Sequence, residues 1–154
     1  MAVTGKDNQA PEGPAKVTVV NSDADSGEVV ARVLEAEGHD VVRAFDQAPS
    51  ISPVISDPPA LVVLDVDGDA SNRGVGLLEE LRQHQAPEVR DFRAVLIGTQ
   101  PGSEVLAWGA GADGFLDRPV RADDLARLVA DALARPDDER ADFRAKAHEA
   151  ARRG

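Results

Sequence analysis

Three aspartates at alternate positions form the stretch of this sequence with the most evident chemistry. They are Asp65, Asp67 and Asp69, and they follow four apolar residues in "LVVLDVDGDASNRG", residues 61–74. Carboxylates this close together could hold a calcium ion, or one of them could accept a phosphoryl group at the end of a strand. The stretch could also be an ordinary polar turn, and the rest of the chain must decide among these alternatives.

The spacing excludes a calcium loop of the helix–loop–helix type. If the three aspartates took loop positions one, three and five, the glycine required at six would be Ala70 and the glutamate required at twelve would be Gly76. The preceding segment also has the pattern of a strand and not of a helix. A looser cation site made of Asp65, Asp67 and Asp23 stays open.

Short apolar segments alternate with amphipathic segments along the chain. The predicted strands are 16–21, 40–45, 60–65, 93–99 and 113–117. The predicted helices are 23–38, one or two turns around 52–56, 75–84, 103–110 and 122–134, and a charged candidate begins at Pro136. Near-continuous apolar strands alternating with helices are typical of an α/β fold in which helices cover both faces of a doubly wound parallel sheet.

In such a sheet, ligands bind beyond the carboxyl ends of the strands. The side chains at these ends include Asp23 after the first strand, Asp65 after the third, Thr99 after the fourth, and Arg118 followed by Pro119 after the fifth. A carboxylate, a hydroxyl and a cation that meet at one rim suit a phosphoryl group. Taken singly, each could also be an ordinary capping or surface residue. Arg118 is expected to pair with Asp65 or Asp23, because uncompensated acids at a rim are unfavourable.

Three stretches of the chain resemble the response-regulator receiver family, the phosphoacceptor domains of two-component signalling. They are "VLEAEGHDVVRAFD", "LVVLD" and "GAGADGFLDRPV", in the family's order and at family-like spacing, and the resemblance covers roughly residues 16–134. It implies a CheY-like, flavodoxin-like fold with five parallel strands in the order 2-1-3-4-5. A C-terminal helical extension would follow this domain.

The resemblance also implies roles for individual residues. Asp65 takes the position of the aspartate that accepts the phosphoryl group, and Thr99 that of the hydroxyl that contacts it. Arg118-Pro119 takes the place of a lysine-proline pair that usually has a cis peptide bond. Phe115 takes the place of an aromatic residue whose rotamer switches on activation, although it can equally be a packed aromatic.

Two departures from the family pattern weaken the expected Mg²⁺ site. The family begins its first loop with two adjacent acids that bind the metal, and those places are Asn21 and Ser22. Two formal negative charges are lost, although Asp23 could partly substitute. Arginine also replaces lysine before the proline, and it is a larger planar group. Mg²⁺ is therefore expected to bind weakly or not at all, and phosphorylation of Asp65 to be weak, altered or absent.

Composition excludes several classes of function. The 154 residues include 17 Lys and Arg against 28 Asp and Glu, a net charge of −11, with 3% aromatic residues and no cysteine. An acidic, aromatic-poor domain is poorly suited to bind nucleic acid, and without cysteine it can form no disulfide or thiolate metal site. No apolar run approaches the roughly 20 residues that span a bilayer, and no signal peptide is evident, so a cytoplasmic location is expected.

The chain is predicted to comprise a disordered leader (1–15), a receiver-like domain (16–134) and a charged helix or tail (135–154). The tail could fray, or pack on its own domain or on a second copy. The predicted function is that of an atypical, stand-alone receiver that contacts a histidine kinase or a downstream target, with a homodimer possible. The contact face would be the family's fourth helix, fifth strand and fifth helix, where an exposed Trp108 would mark an interface.

A second class of function is compatible with the same fold. A small flavodoxin-like protein or enzyme that binds a nucleotide or a flavin would use the loop after the first strand for phosphate. That loop, "NSDADSG", is acidic and would repel a phosphate group. The receiver is therefore favoured, with no enzymatic activity beyond phosphorylation and dephosphorylation at an aspartate.

Overall fold

The computed structural model of the chain describes residues 15–46, 48–65, 73–98 and 102–154. In these ranges five strands form one sheet in the order β2-β1-β3-β4-β5, and every neighbouring pair is parallel. The strands are β1 (Lys16–Asn21), β2 (Asp40–Ala44), β3 (Leu61–Asp65), β4 (Arg93–Gly98) and β5 (Gly114–Asp117). The predicted fold class and strand order are thus confirmed.

Helices connect the strands and cover both faces of the sheet. They are α1 (Ala24–Ala36), α2 (Ser52–Ser56), α3 (Arg73–Arg82), α4 (Pro87–Arg90), α5 (Ser103–Gly109), α6 (Ala122–Ala134) and α7 (Asp137–Arg153). The single turn α4, which begins at Pro87 and buries Val89, was not predicted. The family's fourth and fifth helices correspond to α5 and α6. In the described part of the chain, no helix is both long and apolar enough to cross a membrane.

The strands bury apolar side chains on both faces, which explains their near-continuous hydrophobic sequences. In β3, Leu61 and Val63 face the layer formed with α1 and α6, whereas Val62 and Leu64 face the layer formed with α2, α3 and α5. Successive side chains of a strand point to opposite faces, so a sheet covered twice requires apolar residues at every position. The sheet is therefore a rigid support for the loops at its carboxyl edge.

Thr18 on β1 departs from this apolar pattern. Its hydroxyl is fully buried and, within the described ranges, has no hydrogen-bond partner. We expect Thr18→Val to raise the free energy of unfolding by about 1 kcal/mol, because a buried unpaired hydroxyl costs about 1–3 kcal/mol. Urea denaturation followed by circular dichroism would measure the change. The reverse substitution at the next position of the strand, Val19→Thr, should lower stability, and a loss of stability in Thr18→Val would contradict the prediction.

The C-terminal helix α7 packs against α5 of its own domain, which is one of the alternatives that the sequence left open. The ring of Phe143 meets Trp108 edge-on, with the ring centroids 5.8 Å apart, and the guanidinium of Arg135 lies 3.4 Å from the Phe143 centroid. Trp108 is only 9% exposed and belongs to the core, so the condition of an exposed tryptophan that would mark an interface is not met. The reason is that α7 lies over it.

Candidate functional site

The ends of adjoining strands bring the predicted site residues to one rim of the sheet. β1 and β3 pair in a register that places Asn21 opposite Asp65. The chain leaving β5 is held beside β4, because the backbone N–H of Arg118 donates to the carbonyl of Gly98 at 3.2 Å. Parallel topology thus gathers an amide, a carboxylate and a guanidinium. Thr99 lies outside the described residues.

Both carboxylate oxygens of Asp65 already have partners. Oδ2 accepts a hydrogen bond from Asn21 Nδ2 at 2.6 Å, and Oδ1 accepts one from the Arg118 guanidinium. The Asp65 side chain is 0% exposed and that of Arg118 is 28% exposed. A buried carboxylate is tolerated when a cation and hydrogen bonds compensate its charge, and these two residues provide both.

A chain of hydrogen bonds orients Asn21 toward Asp65. The Oδ1 atom of Asn21 accepts from the backbone N–H of Asp23 at 2.8 Å, and Oδ1 of Asp23 accepts from the backbone N–H of Asp25 at 3.1 Å. A backbone N–H can only donate, so the amide oxygen of Asn21 must face it and the NH₂ group must face Asp65. Asp23 serves as the N-cap of α1.

Arg118 contacts one of the two acids that the sequence analysis named as its partners. The direct ion pair is with Asp65, while Asp23 acts on Arg118 through its charge. Burial lowers the pKa of the Arg118 guanidinium from its ordinary value, and the negative charge of Asp23 opposes that shift. The Arg118-Pro119 peptide bond is cis.

The described residues do not fit a magnesium ion. Mg²⁺ requires oxygen ligands in an octahedral arrangement, whereas the groups that face Asp65 are an amide NH₂ and a guanidinium. Within the ranges that the structure describes, no cluster of three or more Asp, Glu or His residues could hold a metal. Asp23 is engaged as a helix cap, and Asp67, the third predicted ligand, lies outside the described residues.

Phe115 and Pro119 are the remaining predicted switch and interface residues. In the sequence, Phe115 precedes Arg118 and Pro119 follows it. The half-buried ring of Phe115 packs against the same core layer as Trp108. Pro119 lines an open, largely apolar groove of about 530 Å³ together with Ser26, Val29, Val30, Arg118 and Val120. Val29 is 59% exposed, so this groove next to the Asp65–Arg118 pair is accessible to another molecule.

Sequence reasoning missed a second buried carboxylate, Asp113. It lies just before β5, at the opposite edge of the sheet from Asp65, and is 2% exposed. Three arginines, Arg82, Arg140 and Arg144, form ion pairs with it. Arg140 and Arg144 are four residues apart and so lie on one face of α7, a helix with few apolar residues. This spacing was the sequence signal that could have indicated a buried acidic partner. We call these four residues the Asp113 cluster.

Comparisons with known proteins point to one family. The transcriptional regulatory protein CpxR of Escherichia coli is 32% identical over 124 residues, which cover 78% of this chain and 50% of CpxR. The DNA-binding response regulator MtrA of Mycobacterium tuberculosis is 29% identical over 128 residues, which cover 83% of this chain and 54% of MtrA. The chain thus spans about half the length of these curated relatives. No protein-family model matches it.

Solved structures give the same result. The receiver domain of NtrX from Brucella abortus is 29% identical and superposes with a TM-score of 0.62, over 77% of this chain and 97% of that one. A putative response regulator from Chloroflexus aurantiacus shares the fold at 23% identity, with a TM-score of 0.65 over 79% of this chain and 99% of that one. The chain therefore belongs to the response-regulator receiver family, the CheY-like domains of two-component systems.

Proposed function

We propose that this receiver domain signals by protein–protein contact in a state that does not depend on magnesium-assisted phosphorylation of Asp65. The observation that supports the proposal is the occupation of both Asp65 oxygens by Asn21 and Arg118. The ion pair supplies within the chain the compensation that a bound cation would otherwise provide. The resting site is thus satisfied without metal or phosphate.

Phosphoryl transfer to this carboxylate would meet two obstacles. One oxygen of Asp65 must attack phosphorus in line, and each oxygen already accepts a hydrogen bond, from the Asn21 amide or the Arg118 guanidinium, that lowers its nucleophilicity and restricts access to it. Cations must then neutralise the equatorial oxygens of the phosphoryl group, and the described rim offers only Arg118 for this purpose. We therefore propose that acyl phosphate formation is slow or absent, and that the domain has no other enzymatic activity.

Incubation with acetyl phosphate or beryllofluoride and Mg²⁺, followed by intact mass measurement, tests this proposal. We expect no stable adduct on the wild-type chain, with Asp65→Asn as the matched negative control. A stoichiometric wild-type adduct that is lost in Asp65→Asn would overturn the proposal.

The double substitution Asn21→Asp with Ser22→Asp should restore a magnesium site. It replaces the amide that donates to Asp65 by a carboxylate and adds a second acid beside it, so two negative charges return to the rim. We expect Mg²⁺ binding, measured by calorimetry, to appear in this variant at millimolar concentration or below and to be absent from the wild type. Adding Asp123→Asn and Asp131→Asn, at exposed positions of α6, to the double variant returns the net charge to −11 and should leave its Mg²⁺ binding unchanged. Mg²⁺ binding in the double variant that is unchanged from the wild type would contradict the assigned loop.

The partner of this domain is proposed to be a signalling protein, either a histidine kinase or a downstream target, or a second copy of the chain. One candidate contact surface is the apolar groove of Val29, Val30 and Pro119, because it is open and adjoins Arg118. The other is the face of α5, β5 and α6 that the family resemblance implies. Part of the α5 surface is covered by α7.

A further inference from the structure

The Asp113 cluster joins α7 to the amino-terminal edge of the sheet. Asp113 accepts hydrogen bonds from Arg140 Nε at 2.9 Å, from Arg144 Nη2 at 3.0 Å and from Arg82 Nη2 at 3.0 Å. The backbone N–H of Ala94 on β4 donates to the same carboxylate at 2.9 Å. Two of these partners come from α7 and two from the body of the domain.

The rest of the α7 interface is thin. Arg140 is the buried residue of this 17-residue helix, and its apolar contacts come from the partly buried side chains of Phe143, Ala147 and Ala151. By contrast, α6 buries Leu125, Val129, Ala132 and Leu133. Apolar burial stabilises at about 25 cal/mol per Å². The attachment of α7 therefore depends mainly on two arginines and one aromatic ring, whereas that of α6 depends mainly on buried apolar side chains.

Release of α7 would leave Asp113 Oδ2 with its partners in the body of the domain, whereas Oδ1, which accepts only from Arg140 and Arg144, would exchange them for water. Asp113 would keep the guanidinium of Arg82 and the N–H of Ala94, while Arg140 and Arg144 would return to water. Regions with few buried apolar contacts open locally, at a lower free energy than global unfolding. The structure therefore allows α7 to detach while the sheet stays folded.

Detachment of α7 would expose a surface with two specific features. One is the indole ring of Trp108. It lies near Leu106 on the same helix, and Leu106 is already 44% exposed. The other is the carboxylate of Asp113. Residues three or four positions apart share one face of a helix, so Arg140, Phe143 and Arg144 present an aromatic ring and two guanidiniums together to this surface. The side chains of α7 thus identify the chemistry that the surface binds.

We propose that α7 is a displaceable internal ligand of α5, and that the surface beneath it binds a partner helix that presents an aromatic side chain between two arginines on one face. Charge complementarity supports this choice of partner, because Asp113 offers an acidic anchor in a domain with a net charge of −11. The inference goes beyond the function proposed above and does not depend on whether Asp65 accepts a phosphoryl group.

Substitution of the two arginines in the 154-residue chain tests the release of α7. In Arg140→Gln with Arg144→Gln, hydrogen exchange of residues 137–153 should become about tenfold or more faster, while the exchange of β1 to β5 stays unchanged. Quenching of Trp108 fluorescence by acrylamide should increase in parallel. Arg152→Gln with Arg153→Gln makes the same charge change at exposed positions of the same helix and should leave both signals unchanged. Equal acceleration in the sheet, or none in α7, would overturn the proposal.

A peptide added in trans tests the surface itself. A labelled synthetic peptide of residues 137–153 should bind the Arg140→Gln with Arg144→Gln protein with a micromolar Kd and protect Trp108 from quenching again, with affinity that falls as salt is raised. The same peptide carrying Phe143→Ala should bind about tenfold more weakly, because it lacks the aromatic anchor. Absence of binding would overturn the proposal. If the wild-type protein instead forms a dimer that protects Trp108, the surface binds the α7 of a second copy. That result would overturn the choice of a partner helix as the occupant.

Discussion

Asp113→Ala is expected to lower the free energy of unfolding by about 3–5 kcal/mol, because it leaves a buried group of arginines without its anion. The side chains of Arg140 and Arg82 are 8% and 15% exposed; Arg82 loses its carboxylate partner, and Arg140 keeps only the exposed Asp137. The backbone N–H of Ala94 loses its acceptor as well. Three cations would then stand close together with no buried carboxylate between them.

The pH dependence of this effect follows from the pKa of Asp113. Burial raises that pKa, but hydrogen bonding from Arg140 and the charges of Arg140, Arg144 and Arg82 outweigh burial and hold it below the ordinary value of 3.8. A carboxylate whose pKa is lowered by folding contributes stability above its unfolded-state pKa, and this contribution is lost as pH falls through the folded-state value. The difference between wild type and Asp113→Ala should therefore be the same at pH 7 and pH 5, and should shrink below about pH 4.

Urea denaturation at each pH measures both parts of this prediction. Asp142→Ala removes an acid from an exposed position of α7 and should change stability by less than about 0.5 kcal/mol. A loss of less than about 1 kcal/mol in Asp113→Ala would show that the cluster contributes little to folding.

Arg118→Ala is expected to lower the free energy of unfolding by about 2–3 kcal/mol, the second large effect. Asp65 is fully buried, and without Arg118 only the amide of Asn21 compensates its charge. The expected loss of stability is smaller than that for Asp113→Ala, because Arg118 is partly exposed and water screens part of the interaction. Arg118→Lys should recover part of the loss, since lysine restores the charge without the planar fork.

A double-mutant cycle with Asp65→Asn measures the coupling directly. We expect Asp65→Asn with Arg118→Ala to be more stable than Arg118→Ala alone, because the buried charge is then removed together with its partner. Arg121→Ala is the matched control, since Arg121 is 81% exposed and makes only a 3.9 Å contact with Asp124. Equal stability of Arg118→Ala and Arg121→Ala would mean that the ion pair does not compensate Asp65.

The fold could be predicted because its determinants are local and repeated along the chain. The continuous apolar run "LVVL" before Asp65 indicates a strand buried on both faces, and Gly38, which follows α1, has the positive φ that is typical of a glycine just after a helix. The convergence of Asp65 and Arg118 followed from the parallel topology, because carboxyl ends of neighbouring strands meet at one rim.

The parts that could not be predicted depend on contacts between distant residues. Arg82 and Arg140 lie 31 and 27 positions from Asp113, and nothing local marks that aspartate as buried. The role of Asn21 was also missed in part. Its replacement of an acid was recognised, but its donation to Asp65 depends on a side-chain orientation that the loop backbone determines.

The packing of α7 changes where a fragment of this protein can end without exposing buried apolar surface. A shortened version that stopped at Ala134 would keep all five strands, yet it would lose the cover of Trp108 and half of the partners of Asp113. Such a fragment would expose a new apolar surface to water and would be prone to self-association. Fragments for NMR or crystallisation should therefore extend through Arg153.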